Sequence, residues 1–146
     1  MKNAFTLIEL IFVIVIIGLL AAIAIPKFLH LKSQTDAKSV IKVTEDGAKQ
    51  AVEGATNYQD LENNNTFTLQ DILNIKGKNW SYDSSTANGR YYYEQNNGVI
   101  AEINFSRTNR EVNYSINCEN FDDLTTTGTI CENDLGQTTV TVHLTY

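Results

Sequence analysis

The sequence predicts an α+β fold: one long N-terminal helix, half transmembrane and half amphipathic, packed on a four-stranded antiparallel sheet. Three observations predict it. Residues Phe5 to Ile25 are almost uninterruptedly apolar. From Lys27 to about Asn57 apolar residues recur at helical spacing between charges. After Trp80 the hydrophobic period falls to two. At about 1.5 Å of rise per residue, the first stretch is long enough to cross a hydrocarbon core of about 30 Å. Its one charged residue is Glu9, and Lys2 and Lys27 sit just outside its two ends. A carboxylate inside such a run is costly to place in lipid and usually marks a partner and a function. A hydrated or protonated Glu9 at the interface is the simpler alternative.

Within the span lie Gly18, and at its end Pro26. Both weaken a helix, Gly through backbone entropy and Pro through its missing N–H, and both are tolerated in membrane helices as a mild kink. In the amphipathic part, Ala37, Ile41, Thr44, Ala48, Ala51 or Val52, and Ala55 form a narrow stripe, with Lys38, Lys42, Glu45, Lys49 and Glu53 between them. Such an Ala-rich stripe suits close approach to a flat partner, and a sheet is the obvious one. Asn57 to Phe67 reads as a loop. Thr68-Leu69-Gln70-Asp71 has the form of a capping box opening a short helix through Asn74, anchored by Ile72, Leu73 and Ile75.

Arg90–Gln95, Val99–Phe105 and Glu111–Asn117 then read as strands of a meander joined by the turn-type segments Asn96-Asn97-Gly98 and Arg107-Thr108-Asn109. Val99, Ala101, Ile103 and Phe105 are expected on one face, as are Val112, Tyr114 and Ile116. Val140, Val142 and Leu144 alternate with Thr139, Thr141 and His143 in a last strand. Trp80, the Tyr91-Tyr92-Tyr93 run and His143 read as packing or rim residues rather than a site. The expected division is therefore residues 1–4, 5–26 as membrane helix, 27–57 as amphipathic helix and 58–146 as a globular domain.

Charge and chemistry narrow the function. A formal net charge of −6 argues against general nucleic-acid binding, which relies on clustered Lys and Arg. No nucleophile–base pair, Gly-rich phosphate loop or metal-ligand cluster stands out, and neither His30 nor His143 has a sequence neighbour that suggests a proton relay. An enzyme is not expected. The two cysteines, Cys118 and Cys131, follow the membrane segment. In an oxidising compartment a disulfide is their default state, with metal binding the weaker alternative. The basic residues on either side of the span leave its orientation ambiguous.

The N-terminal residues Lys2-Asn3-Ala4 followed by Phe5-Thr6-Leu7-Ile8-Glu9-Leu10 closely resemble the start of the type IV pilin family, which includes the pseudopilins of type II secretion systems. The resemblance covers residues 2 to about 30. It implies removal of the leader, residues 1–4, by a prepilin peptidase between Ala4 and Phe5, followed by N-methylation of Phe5. Gly is the usual residue before that cut; Ala4, also small, replaces it here. The resemblance further implies that Glu9 sets axial register in a filament by meeting a neighbour's Phe5 amine, and that Gly18 and Pro26 flank a segment, Leu19 to Ile25, that melts on assembly. Cys118 to Cys131 resembles in position the disulfide-bounded C-terminal loop of pilins.

Major pseudopilins instead bind calcium in a nearby loop. Glu119, Asp122, Asp123, Glu132 and Asp134 supply acidic oxygens, but their spacing fits no recognised calcium loop; a solvated acidic loop is the preferred reading, so no cofactor is expected, with calcium at Asp122, Asp123 and Asp134 as the alternative. The implied function is a structural subunit of a type IV pilus or pilus-like filament. The alternatives are a pseudopilin acting as a periplasmic piston for protein export, or an unprocessed membrane-anchored binding domain. A cleaved secretory signal is disfavoured by the length of the apolar run and its acid. Implied partners are copies of the same chain in a helical filament, the prepilin peptidase/methyltransferase, an inner-membrane assembly platform, and membrane lipid before assembly. The precursor is expected in the inner membrane with its N-terminus cytoplasmic, and the product in a surface pilus or periplasmic pseudopilus.

Overall fold

A computed structural model describes residues 5–146. A single helix, α1, runs without interruption from Leu7 to Thr56 and ends in a π-helical turn, Asn57–Leu61. A short helix α2 (Leu69–Ile72) follows. Five strands then form one sheet: β1 (Trp80–Asp83), β2 (Arg90–Gln95), β3 (Gly98–Ser106), β4 (Glu111–Asn117) and β5 (Thr139–Thr145). Each strand pairs antiparallel with the next, in the order β1-β2-β3-β4-β5. Helix α3 (Thr129–Leu135) lies between β4 and β5.

The distal half of α1 packs on the sheet because its stripe is small. Ala37, Thr44, Ala48, Ala51 and Ala55 are fully buried, together with Val40 and Ile41. Buried Thr44 has no unpaired hydroxyl, since Oγ1 donates to Val40 O at 2.7 Å. A methyl group at Gly47 would come within 2.9 Å of Ile103 on the sheet, and one at Gly54 within 2.8 Å of Ile72. Ala and Gly are thus what lets the helix approach the layer beneath it. Two apolar clusters fill the interface. The distal one joins Ala48, Ala51 and Ala55 to Phe67, Leu69, Ile103, Phe105 and Val112. The proximal one joins Ala37, Val40 and Ile41 to Ile100, Ile116, Phe121 and both cysteines.

The expected four-stranded sheet has five strands. The addition, β1, is only four residues long and takes the edge beside β2. Cross-strand aromatic pairs hold it there: Trp80 packs edge-on against its register partner Tyr93 at 5.5 Å, and Tyr82 against Tyr91 at 5.0 Å. Asp83 and Arg90, also register partners, form an ion pair at 3.1 Å. The expected face of β3 is also corrected. A bulge opposite Tyr93 and Glu94 puts Ile100 beside Ala101 in the core, and Val99 is only half-buried. The β2–β3 hairpin turns on Asn96-Asn97, with Gly98 at φ +125°, a conformation that L side chains rarely adopt.

The helix opened by Thr68 ends at Ile72, short of Asn74, because Leu73 is extended and buried in the core. Its cap is present: the Asp71 carboxylate accepts from Thr68 N at 2.7 Å and Thr68 Oγ1 at 2.9 Å. Tyr91 Oη donates to Leu73 O at 2.9 Å, tying this segment to β2, and burial pushes the Tyr91 phenol up. At the C-terminal edge, Arg110 bonds both oxygens of Asp60 (3.0 and 2.9 Å) and donates to Tyr146 O (2.8 Å). The last residue is thereby fastened to the turn that ends α1.

Candidate functional site

Two regions carry functional geometry: the proximal half of α1 and the disulfide-closed segment beside its midpoint. In the first, Thr6 is the N-cap of α1. Glu9 Oε2 accepts from Thr6 N at 2.9 Å and Thr6 Oγ1 at 2.8 Å, while Glu9 N reaches Thr6 Oγ1 at 3.4 Å. This is a capping box, in which the acid satisfies donors that an α-helix otherwise leaves open at its start. The Thr-x-x-Glu spacing in the sequence signals it. Both side-chain bonds fall on Oε2, so Oε1 is open to a second donor.

Beyond the cap, large apolar side chains project on every side of the helix from Phe5 to Leu31. Even Ile16, the least exposed of them, keeps 40% of its surface. Among the described residues, one helix is long and apolar enough to cross a membrane, and the apolar window that qualifies it is not buried within the subunit. Gly18 lies in this exposed half, and a methyl group built there meets nothing within 4 Å. Pro26 lies inside the helix, and Leu19–Ile25 is helical in the isolated subunit. Phe5 is 87% exposed, and Ala4, the other half of the expected cleavage site, lies outside the described residues.

The second region begins where β4 ends. Cys118 and Cys131 form a disulfide and are fully buried in the proximal cluster against Ala37, Val40 and Ile41. The segment between them is more ordered than a loop. It contains a 3₁₀ turn (Cys118–Asn120), a π turn (Leu124–Gly128) and the start of α3, which carries Cys131. Close packing of this segment is visible at Gly128, where a methyl group would come within 3.0 Å of Cys118 O.

The acidic residues here face separate partners. Asp122 accepts from Asn96 Nδ2 at 2.9 Å and its N–H donates to Gln95 Oε1 at 3.0 Å, joining the segment to the β2–β3 hairpin. Asp123 caps the π turn, accepting from Thr125 Oγ1 (3.0 Å) and Thr126 N (3.2 Å). The Thr125 hydroxyl first, and then the Thr126 bonds, hold its carboxyl below the ordinary Asp range. Asp134 faces Lys38 of α1 at 3.9 Å. Among the described residues no group of three or more His, Cys, Asp or Glu side chains gathers in metal-binding geometry. His143 bonds Asn113 at 2.7 Å across β4 and β5, away from both regions.

Comparison with known proteins bears on the first region. Residues 1–25 match the prokaryotic N-terminal methylation motif. The chain is 36% identical over 91 residues to the type IV major pilin protein PilA of Myxococcus xanthus, an alignment covering 60% of this chain and 39% of that protein. It is 35% identical over 115 residues to a fimbrial protein of Neisseria meningitidis serogroup A, covering 77% of this chain and 61% of that one. The chain thus spans between about two fifths and three fifths of these relatives' length. No solved structure matches. Its N-terminus thus carries the prokaryotic N-terminal methylation motif, and the chain is similar to type IV pilin and fimbrial proteins.

Proposed function

We propose that this chain is a structural subunit of a type IV pilus or pilus-like filament, cut between Ala4 and Phe5 by a prepilin peptidase, methylated at Phe5 and assembled through the proximal half of α1. One observation carries the reading: a single helix packs one face on its own domain from Ala37 onward and leaves its large apolar side chains exposed from Leu7 to Leu31. Leaving Leu, Ile or Phe side chains in water forfeits about 1.5–3 kcal/mol each, so this half has to sit in lipid or among other apolar helices. Lipid satisfies the precursor. Helix association out of lipid gains little from apolar burial and relies on close packing and polar contacts.

Glu9 is the polar contact available. Its Oε2 is used by the cap and its Oε1 is open to the amine that cleavage would create on a neighbour's Phe5. Paired, an ammonium and a carboxylate offset each other's desolvation. The precursor would lie in the inner membrane with its N-terminus cytoplasmic and its sheet domain exported, which suits the disulfide. The covalent closure between β4 and β5 favours a filament exposed to proteases and shear over a periplasmic piston. Glu9→Ala or Glu9→Val is expected to insert but to yield few filaments in a shearing assay. Normal filament yield from either variant would refute the role of Glu9.

A further inference from the structure

Four Asn residues begin an Asn-x-Ser/Thr sequence with no Pro at the middle position: Asn64, Asn79, Asn104 and Asn113. That tripeptide is the acceptor pattern for N-linked sugar on an exported surface. Asn is abundant in this chain, so a bare tripeptide says little. Three of the four also carry a Glu two residues ahead, giving the same five-residue spacing at Glu62–Thr66, Glu102–Ser106 and Glu111–Ser115. We propose that Asn64 is a site of N-linked glycosylation. The proposal rests on the reading above that the sheet domain is exported.

The structure separates Asn64 from the others. Asn104 and Asn113 face each other as register partners in the middle of β3 and β4, and Asn113 Oδ1 is bonded to His143. A transferase active site has no access to a strand paired on both sides. Asn79 is held at a φ of +68° just before β1, its carbonyl accepts from Glu94 N at 3.0 Å, and its Ser81 lies within β1. Asn64, itself half-buried, lies instead in the segment between the π turn and α2, where the backbone forms no helix or strand and the flanking Glu62, Asn63, Asn65 and Thr66 are exposed. Two hydrogen bonds fasten the middle of this segment: Asn64 N donates to Tyr58 O at 2.8 Å, and Arg107 donates to Asn65 O at 2.7 Å.

The local geometry suits the reaction. Asn64 Oδ1 accepts from both Thr66 N and Thr66 Oγ1 at 2.9 Å, which leaves Nδ2 open. Donors on the amide oxygen make the Nδ2 protons easier to lose. In the transfer, Nδ2 bonds to the anomeric carbon of a sugar carried on a phosphate leaving group. The carbon–oxygen bond to that phosphate breaks with its electron pair staying on the phosphate, and one Nδ2 proton passes to a base on the transferase. The hydroxyl of residue 66 is required, and Ser can replace Thr.

The test is mass spectrometry of tryptic peptides from the full chain purified from its own cells. The peptide Gln50–Lys76 is expected at a mass raised by whole sugar residues, with fragmentation placing them on Asn64. Asn64→Gln and Thr66→Ala are expected to remove the added mass, and Thr66→Ser to retain it. An unmodified Gln50–Lys76, or sugar found only on another residue, overturns the proposal. The N-terminal peptide of the same digest reads the filament account separately. Methylated Phe5 with a bare Asn64 overturns glycosylation alone, whereas sugar on Asn64 in a chain starting at Met1 supports glycosylation and contradicts processing.

Discussion

Glu9 meets two demands with one carboxylate. It caps its own helix through Thr6, and under the filament account it also neutralises a neighbour's amine. Glu9→Gln separates the two, because Gln keeps the cap but not the charge. Filament yield from Glu9→Gln is expected to fall roughly a hundredfold or more, the scale of losing one partner of a desolvated charge pair. A yield near wild type would assign Glu9 to capping alone. Gly18 calls for a different argument. Nothing in the subunit crowds it, so its lack of a side chain has no packing reason within one chain. Ala there favours the helix by about 1 kcal/mol. Filaments of Gly18→Ala are therefore expected to resist extension under force more than wild type if Leu19–Ile25 melts on assembly. Equal extension would show that this segment stays helical.

Elements differed in how clearly they could be read from the sequence. The apolar span and the Ala stripe were legible because periodicity and residue size specify them together, and the buried stripe of α1 follows the expected positions with Val40 and Gly47 added. Strands β2 and β4 have the expected bounds because alternation and turn residues agree. Strand β1 is not legible in the sequence: four residues offer too little alternation, and its stability comes from aromatic partners on β2. The bulge at Ile100 is set by strand pairing, which no local pattern encodes. Cys118 and Cys131 were legible as a pair, but the helix carrying Cys131 was not, since its burial depends on α1. At the proximal end of α1, the Thr-x-x-Glu spacing of Thr6 and Glu9 encodes the capping box that the structure shows. The disulfide yields a prediction at this scale. Closing a loop of 13 residues contributes on the order of 3 kcal/mol by chain entropy. Replacing both cysteines with Ser should lower unfolding stability by more than that amount, since each Ser also buries a hydroxyl in the apolar cluster, measured by denaturant titration.

The whole molecule joins a lipid-compatible half to a water-compatible half along one unbroken helix. The soluble half is acidic, and several of its carboxylates are held below the ordinary Asp value of 3.8: Asp60 by Arg110, Asp71 by Thr68, Asp83 by Ser85 and Asp123 by Thr125. A carboxylate lowered on folding adds stability that is complete above its unfolded pKa and is lost as pH falls through the folded one. Unfolding stability is therefore expected to be level through neutral pH and to decline below about pH 4. A decline that begins near neutrality would point to groups other than these.

Under the filament account, the exposed half of α1 becomes the interior of a filament after cleavage at Phe5. Intact mass and N-terminal sequencing of the chain, recovered separately from sheared surface material and from membranes, test it most directly. The account predicts a chain that begins at methylated Phe5 in the sheared fraction. A chain that begins at Met1 and is found only in membranes would contradict it.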